Sequence, residues 1–424
     1  MWRKRIQVSL VHVAIAMMVV PADSTLNRIM INEMALSATM VALLLTLPYL
    51  FSPVQLAIGS FADRHPIWGR RRTPYILAGL VLSAVGIALA PLGVYTFEES
   101  FWGGLLLSGL AFGIWGMGFN FATVSYFALA AELTDEKGRS QTISTMYVMM
   151  IISVIVTALL IGRAIEVYSP GAVTSAIWWV TGVALLLGLA GLVGLESQTV
   201  QTVPRQQPPM RQVIQAITGN RQARLFFGYL ILLLAAILGQ DVLLEPYGGE
   251  AFGLSVAQTT RLTSIYGLCF LITLASTSLI EKRTNKRLVA TVGSWGAVAA
   301  FVFIGGSGLL GSTPIFYLGV VTLGLAIGFS TVANHSLMLD MTTAQNVGLF
   351  IGAWGMANAL ARLVGSVTGG AVLDSMSSLT GDRILSYVIV FGLKTVFLLI
   401  SLYLLRRLSI QRFQEQAMQV VINK

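Results

Sequence analysis

The sequence predicts an all-α polytopic membrane protein, with twelve transmembrane helices in two six-helix pseudo-repeats. Three observations carry that prediction. Of the 424 residues, 55% are hydrophobic and 11% charged, against about 25% charged in an ordinary soluble chain. Apolar runs of about twenty residues, enough to cross a hydrocarbon core about 30 Å thick, recur along the whole length. A polar, proline-bearing stretch, ESQTVQTVPRQQPPMRQVIQAITGNRQAR, divides these runs near the middle. Backbone polar groups cannot stay unpaired in lipid, so the spans are helices or a closed barrel. The runs are continuous rather than alternating, which selects helices.

Taken in order, the first run, 6–30, follows Arg3, Lys4 and Arg5. No small-residue cleavage site comes after it, so it reads as a retained span and not a signal peptide. Runs at 37–60, 73–95, 101–131, 142–165 and 174–195 complete an N-terminal bundle, 1–195. The linker, 196–222, holds Met210, Val213, Ile214 and Ile217 at helical spacing, which fits either a short helix on the membrane surface or a solvated one. Runs at 223–246, 257–280, 288–310, 314–339, 347–372 and 384–405 form the second bundle, 223–424, with a C-terminal tail. The single cysteine, Cys269, falls mid-span and can form no internal disulfide.

The formal charge of +9 invites a nucleic-acid reading, and its distribution removes it. With the N-terminus placed in the cytoplasm, all but Arg28, Arg163, Arg261, Arg362, Arg383 and Lys394 of the 27 Lys and Arg fall on the cytoplasmic side. That is the positive-inside pattern, with both termini cytoplasmic. The basic charge therefore records topology.

The two halves echo each other. Asp23-x-x-Leu26-Asn27 in the first span matches Asp241-x-x-Leu244-Glu245 in the seventh. Asp63-Arg64 after the second span matches Glu281-Lys282 after the eighth, at the same offset along the chain. A shared offset argues for parallel repeats, as in major facilitator transporters, where spans 1 and 7 both face the central cavity. The loop GSFADRHPIWGRRRTP resembles that superfamily's G-x-x-x-D-R-x-G-R-R signature through Gly59, Asp63, Arg64, Gly69, Arg70 and Arg71, with His65 to Trp68 as extra residues. AAELTDEKGR resembles the second cytoplasmic signature through Glu132, Gly138 and Arg139, and also fits a plain solvated turn. Together these residues form the expected cytoplasmic gate. The pairs Gly109/Gly113, Gly324/Gly328, Gly348/Gly352 and Gly365/Gly369 are GxxxG spacings, which serve helix packing.

An ionisable side chain inside a span costs about 2.5–3.5 kcal/mol at the bilayer centre unless paired or wetted. Asp23, Arg28 and Glu33 on span 1, Asp241 and Glu245 on span 7 and Arg362 on span 11 are such residues, with Pro21 and Pro246 beside them as marks of helix distortion. Either they clamp helices together or they handle substrate or protons. His12 and His335 lie in spans; each can be a hydrogen-bonded buried imidazole or an axial ligand to a chlorophyll magnesium. No H-x-x-x-H, Cys/His cluster or phosphate-binding loop is present, so neither a protein-ligated transition metal nor an ATP-driven pump is expected. No nucleophile–base pair points to an enzyme.

Four segments, LNRIMINE (26–33), GSFADRHPIWGRRRTPYI (59–76), QDVLLEPYGGEAFGLSVAQTTRLT (240–263) and GLFIGAWGMANA (348–359), resemble the bacteriochlorophyll delivery family, the PucC/LhaA group. ALAAELTDEKGRSQTISTMYVMM (128–150) resembles its span 4–5 turn. The resemblance implies a protein of photosynthetic bacteria, in a thylakoid or plasma membrane, that binds or delivers chlorophyll or bacteriochlorophyll during assembly of light-harvesting or photosystem complexes. Departures at SFAD and IWGRRR suggest a cyanobacterial member handling chlorophyll a. Implied partners are chlorophylls, pigment-binding apoproteins, pigment-biosynthesis enzymes and membrane lipids, with no nucleic acid. By position, Asn27 and Arg28 belong to the family's span 1 motif, and Asp241, Glu245, Pro246, Tyr247, Gly248 and Gly249 to its span 7 motif. Asp23, Asn27, Arg28, Asp241, Glu245 and Tyr247 are then expected to bind a polar part of the pigment or to hold a cavity in shape. The alternative function is a proton-coupled porter of a small solute, with Asp23, Asp241 or Glu245 cycling protons.

Overall fold

A computed structural model describes residues 2–52, 54–133, 136–196, 220–280, 284–340 and 347–409. Among them are helices, turns and one isolated bridge, Ile67 to Arg70, with no strand. The helices are α1 (Trp2–Val20), α2 (Ala38–Leu45), α3 (Leu47–Leu50), α4 (Val54–Arg64), α5 (Thr73–Tyr95), α6 (Phe101–Glu132), α7 (Glu136–Ala164) and α8 (Pro170–Leu192). They continue as α9 (Arg221–Ile237), α10 (Asp241–Phe252), α11 (Val256–Ile280), α12 (Lys286–Leu309), α13 (Thr313–Asp340), α14 (Val347–Thr380) and α15 (Arg383–Arg407). Most of the linker, including Met210 to Ile217, lies outside the described residues, as do Glu281, Lys282 and the side chains of Asp63 and Arg139.

Ten segments among the described residues are long and apolar enough to cross a membrane. The expected second and eighth spans are the two not among them. The second is broken into α2, α3 and α4, because Pro48 carries no N–H and cannot continue the ladder of a preceding helix. The Asn120 side chain repairs the break, donating to the Pro48 carbonyl at 2.8 Å and to the Gly116 carbonyl at 2.7 Å, while Gln55 donates to Asn120 at 2.5 Å. Such re-satisfaction is what hydrocarbon demands of an interrupted helix. The eighth, α11, is 25 residues long, with Thr259, Thr260, Arg261, Thr263 and Ser264 in its first half.

Span 1 does not stop at α1. It continues through two π-helical segments, Pro21–Leu26 and Ile29–Glu33. Proline removes one donor and its ring displaces the carbonyl a turn earlier, so the helix widens to i→i+5 pairing. Asp23 and Glu33 sit on these two segments, and Arg28 lies between them. Span 7 is likewise interrupted, at Leu238–Gln240, between α9 and α10.

The chain forms two compact units. One comprises Met1–Gln206 with Gly248–Gly267; the other comprises Gln207–Tyr247 with Leu268–Lys424. In the first, α5 and α6 share the most extensive interface, and α1 packs on α5, α6, α7 and α8. A Cβ at Gly93 would meet the Ser108 backbone nitrogen at 2.6 Å and one at Gly118 the Ser83 Oγ at 2.7 Å, so these glycines set how closely the two helices approach. In the second unit, α12 packs on α13 and α15, and α9 on α14 and α15.

Candidate functional site

Three polar clusters occupy these units. The first lies in unit one, at the end of span 1. Arg28 is 6% exposed; its guanidinium pairs with Glu33 and donates to the Leu254 carbonyl at 3.1 Å. A Cβ on Gly249 would meet the Arg28 Nη2 at 2.9 Å and would also collide with Asn32. The absence of a side chain at Gly249 is therefore what lets the 248–252 end of α10 seat on Arg28. Thr25 and Thr260 hydroxyls lie 3.3 Å apart, and Arg261 donates to the Gly162 carbonyl at 3.2 Å and pairs with Glu166 at 3.4 Å. The segment 26–33 and the 248–263 part of the second family-resembling segment thus converge within one unit. Asp23 is half-buried in the first π-helical segment, and Asn27, just after it, is fully buried.

The second cluster belongs to unit two. Asp241 opens α10, where a helix N-terminus favours an anion, and pairs with Arg362 of α14 at 3.2 Å. Gln240 donates to the same carboxylate at 2.8 Å. Lys394 of α15, 2% exposed, donates to the Gly365 carbonyl at 3.3 Å and interacts electrostatically with Asp241. Gly365 and Gly239 bring these helices together, since a Cβ on either would strike the other helix's backbone. Glu245 is buried one turn beyond Asp241. Arg362 is visible in the sequence as an intramembrane charge. Lys394 joins the site only in the structure, although a lysine inside VIVFGLKTVFLLIS is a signal for it.

Tyr247, expected near pigment, is instead fully buried in the second unit's core. Its ring packs against Phe316, Tyr387 and Phe391, and its hydroxyl donates to the Ile304 carbonyl at 3.0 Å. The geometry gives it a packing role.

The third cluster holds the residues expected to form a gate. Gly59 lies buried in α4 and Arg64 is exposed at its end. Gly69 has φ +70° and Trp68 φ +53° in the tight turn closed by Ile67 and Arg70. The turn needs glycine at 69, and Trp68 is held in a conformation unusual for a bulky side chain. Glu132 pairs with Arg71 at 3.9 Å, but its close partner is Arg72, at 2.9 Å. The Glu196 carboxylate accepts from the backbone N–H groups of Arg71 (2.9 Å), Arg72 (3.1 Å) and Thr73 (2.7 Å), capping α5. Sequence reasoning misses Arg72 and Glu196; Arg72 stands beside the motif in GRRRTP, whereas nothing local marks Glu196. Gly138 lies in α7. Glu196→Gln weakens charge-assisted bonds to three backbone donors and should lower stability by about 1–2 kcal/mol, read as a lower unfolding midpoint of the purified protein.

The two intramembrane histidines differ. His12 is buried among Tyr126, Phe127 and Tyr147, with ring centroids 5.2–5.5 Å away, and its Nδ1 has no hydrogen-bond partner among the described residues. His335 is exposed on α13, its Nδ1 lies 2.8 Å from the Thr331 carbonyl, and its ring packs on Trp354 of α14 with centroids 4.2 Å apart. Among the described residues no group of three or more His, Cys, Asp or Glu could hold a metal ion.

Long apolar helices carrying paired intramembrane charges define an integral membrane protein of the major facilitator fold. A mutant form of the nucleoside transporter NupG matches with a TM-score of 0.73 at 13% identity, over 95% of this chain and 99% of that one. A bacterial homologue of the iron transporter ferroportin, in an inward-facing state, matches with 0.73 at 12%, over 95% and 98%. At these identities the likeness is one of fold alone. The family described as PUCC protein matches residues 25–413, and the chain belongs to it. Among relatives, Protein PucC of Rhodobacter capsulatus is 29% identical, covering 94% of this chain and 90% of its own. The "Bacteriochlorophyll synthase 44.5 kDa chain" of a Rhodobacter capsulatus strain is 28% identical, covering 94% of each.

Proposed function

We propose that this chain binds a magnesium tetrapyrrole, chlorophyll or bacteriochlorophyll, and assists its delivery to the apoproteins of light-harvesting or photosystem complexes. It acts by binding and release, without catalysis, in a thylakoid or plasma membrane with both termini cytoplasmic. One observation carries the reading: the family-specific segments meet at Arg28, Asn32, Gly249 and Leu254, so what distinguishes this family from general porters is built around that junction. The name of one relative, a bacteriochlorophyll synthase chain, ties that relative to the same pigment class.

In this reading Asp241, Arg362 and Lys394 fix the break of span 7 against α14 and α15, with Glu245 beside them. A second reading, a proton-coupled porter, draws on the same cluster, because buried Asp and Lys side chains in spans also mark proton paths. The neutral triple variant Asp241→Asn, Arg362→Gln, Lys394→Met separates the two. Full-length protein in nanodiscs is incubated with chlorophyll a, reisolated and then mixed with a synthetic single-span antenna peptide. Retention and handover by both wild type and the triple variant support pigment delivery. Failure of wild type to retain or release pigment overturns it, and a pH-dye signal lost only in the variant would favour the porter.

A further inference from the structure

The two histidines stand in opposite relation to a prospective ligand. A carbonyl oxygen can only accept, so the contact with Thr331 places the proton of the neutral His335 ring on Nδ1. Nε2 then carries the lone pair, and among the described residues it has no partner. This is the arrangement of a metal-ligating histidine, which donates its other ring N–H to a backbone carbonyl that fixes tautomer and orientation. Trp354 holds the ring from one side, and its own backbone carbonyl accepts from the Asn358 side chain at 3.0 Å. His12, by contrast, is enclosed by three aromatic rings, 5% exposed, and offers no open approach.

A single imidazole cannot retain a free divalent ion, which needs several protein ligands. It suffices for a metal whose four equatorial positions are already filled by a macrocycle. The described residues supply one free, oriented imidazole nitrogen at this position and no cluster able to bind a bare ion. That combination selects among metal-containing ligands.

Resting on the pigment-handling reading above, we infer that His335 Nε2 is the axial ligand to the central magnesium of the bound tetrapyrrole, with Thr331 and Trp354 as the residues that position it. The neutral imidazole donates its lone pair and no bond in the macrocycle changes, so release needs only displacement of one ligand. His12 takes no part in ligation.

The test titrates detergent-solubilised full-length protein with chlorophyll a and, in parallel, with magnesium-free pheophytin a. Binding is read from the red absorption band, and coordination from the resonance Raman marker of five- against six-coordinate magnesium. Wild type should bind chlorophyll a at least tenfold more tightly than pheophytin a. His335→Gly should lose that preference and regain it with added imidazole, whereas His12→Phe should keep it. Trp354→Leu should retain ligation with a shifted Raman marker. Equal binding of the two pigments by wild type, or an unchanged preference in His335→Gly, overturns the assignment while leaving pigment handling intact. Failure of wild type to bind either pigment removes both.

Discussion

Asp241→Leu should be the most damaging single substitution in the second unit, and more damaging than Arg362→Leu. Removing the carboxylate takes from the Arg362 guanidinium its partner at 3.2 Å and from Lys394 a nearby anion. Arginine cannot shed its charge, whereas a buried lysine can, so Arg362 stays charged after losing this partner. Breaking a buried pair costs about 3–5 kcal/mol. The low end applies here, because the Asp241 and Arg362 side chains keep 24% and 21% of their surface accessible. Arg362→Leu is milder, since Asp241 keeps its electrostatic attraction to Lys394. The measurement is the unfolding midpoint and the yield of monodisperse protein for each variant. Equal losses would remove Lys394 from the charge balance.

Gly249→Leu should cost a similar amount in the first unit. The new side chain would occupy the space of the Arg28 guanidinium and the Asn32 amide. Arg28 would be displaced from the Leu254 carbonyl while staying almost wholly buried. Overpacking typically costs about 1–3 kcal/mol, and the lost bond to a charged donor adds about 1.5–3 kcal/mol. Gly249→Ala already introduces the colliding atom and should fall part of the way. Gly392→Ala, whose Cβ would meet nothing within 4 Å, should leave stability unchanged. A Gly249→Leu protein as stable as wild type would show that α10 does not depend on this seat.

The helical membrane class is plain from the sequence, because length and hydropathy are local properties. The distortion at Pro21 is equally local, although its π-helical form depends on the packing around it. The charges on spans 1, 7 and 11 are legible as anomalies. Their pairing is not, since Asp241 and Arg362 meet only because Gly239 and Gly365 let two helices touch. Lys394 escapes notice because in sequence it reads as an exception to a charge rule, not as a buried amine. Glu196 caps a helix whose first residues lie far back along the chain, a relation that no spacing encodes. Tyr247 stands in a family motif beside two acidic residues, and proximity in sequence suggests a shared role. Alternate faces of α10 separate them, placing the ring in an aromatic core. The two histidines look equivalent in sequence and differ only in what packs around them.

The most direct test of pigment handling is an absorption spectrum with solvent extraction of the full-length protein, purified mildly from its native membrane. The account predicts a red band and an extractable magnesium tetrapyrrole in near-stoichiometric amount. A folded, colourless protein yielding no tetrapyrrole would contradict it.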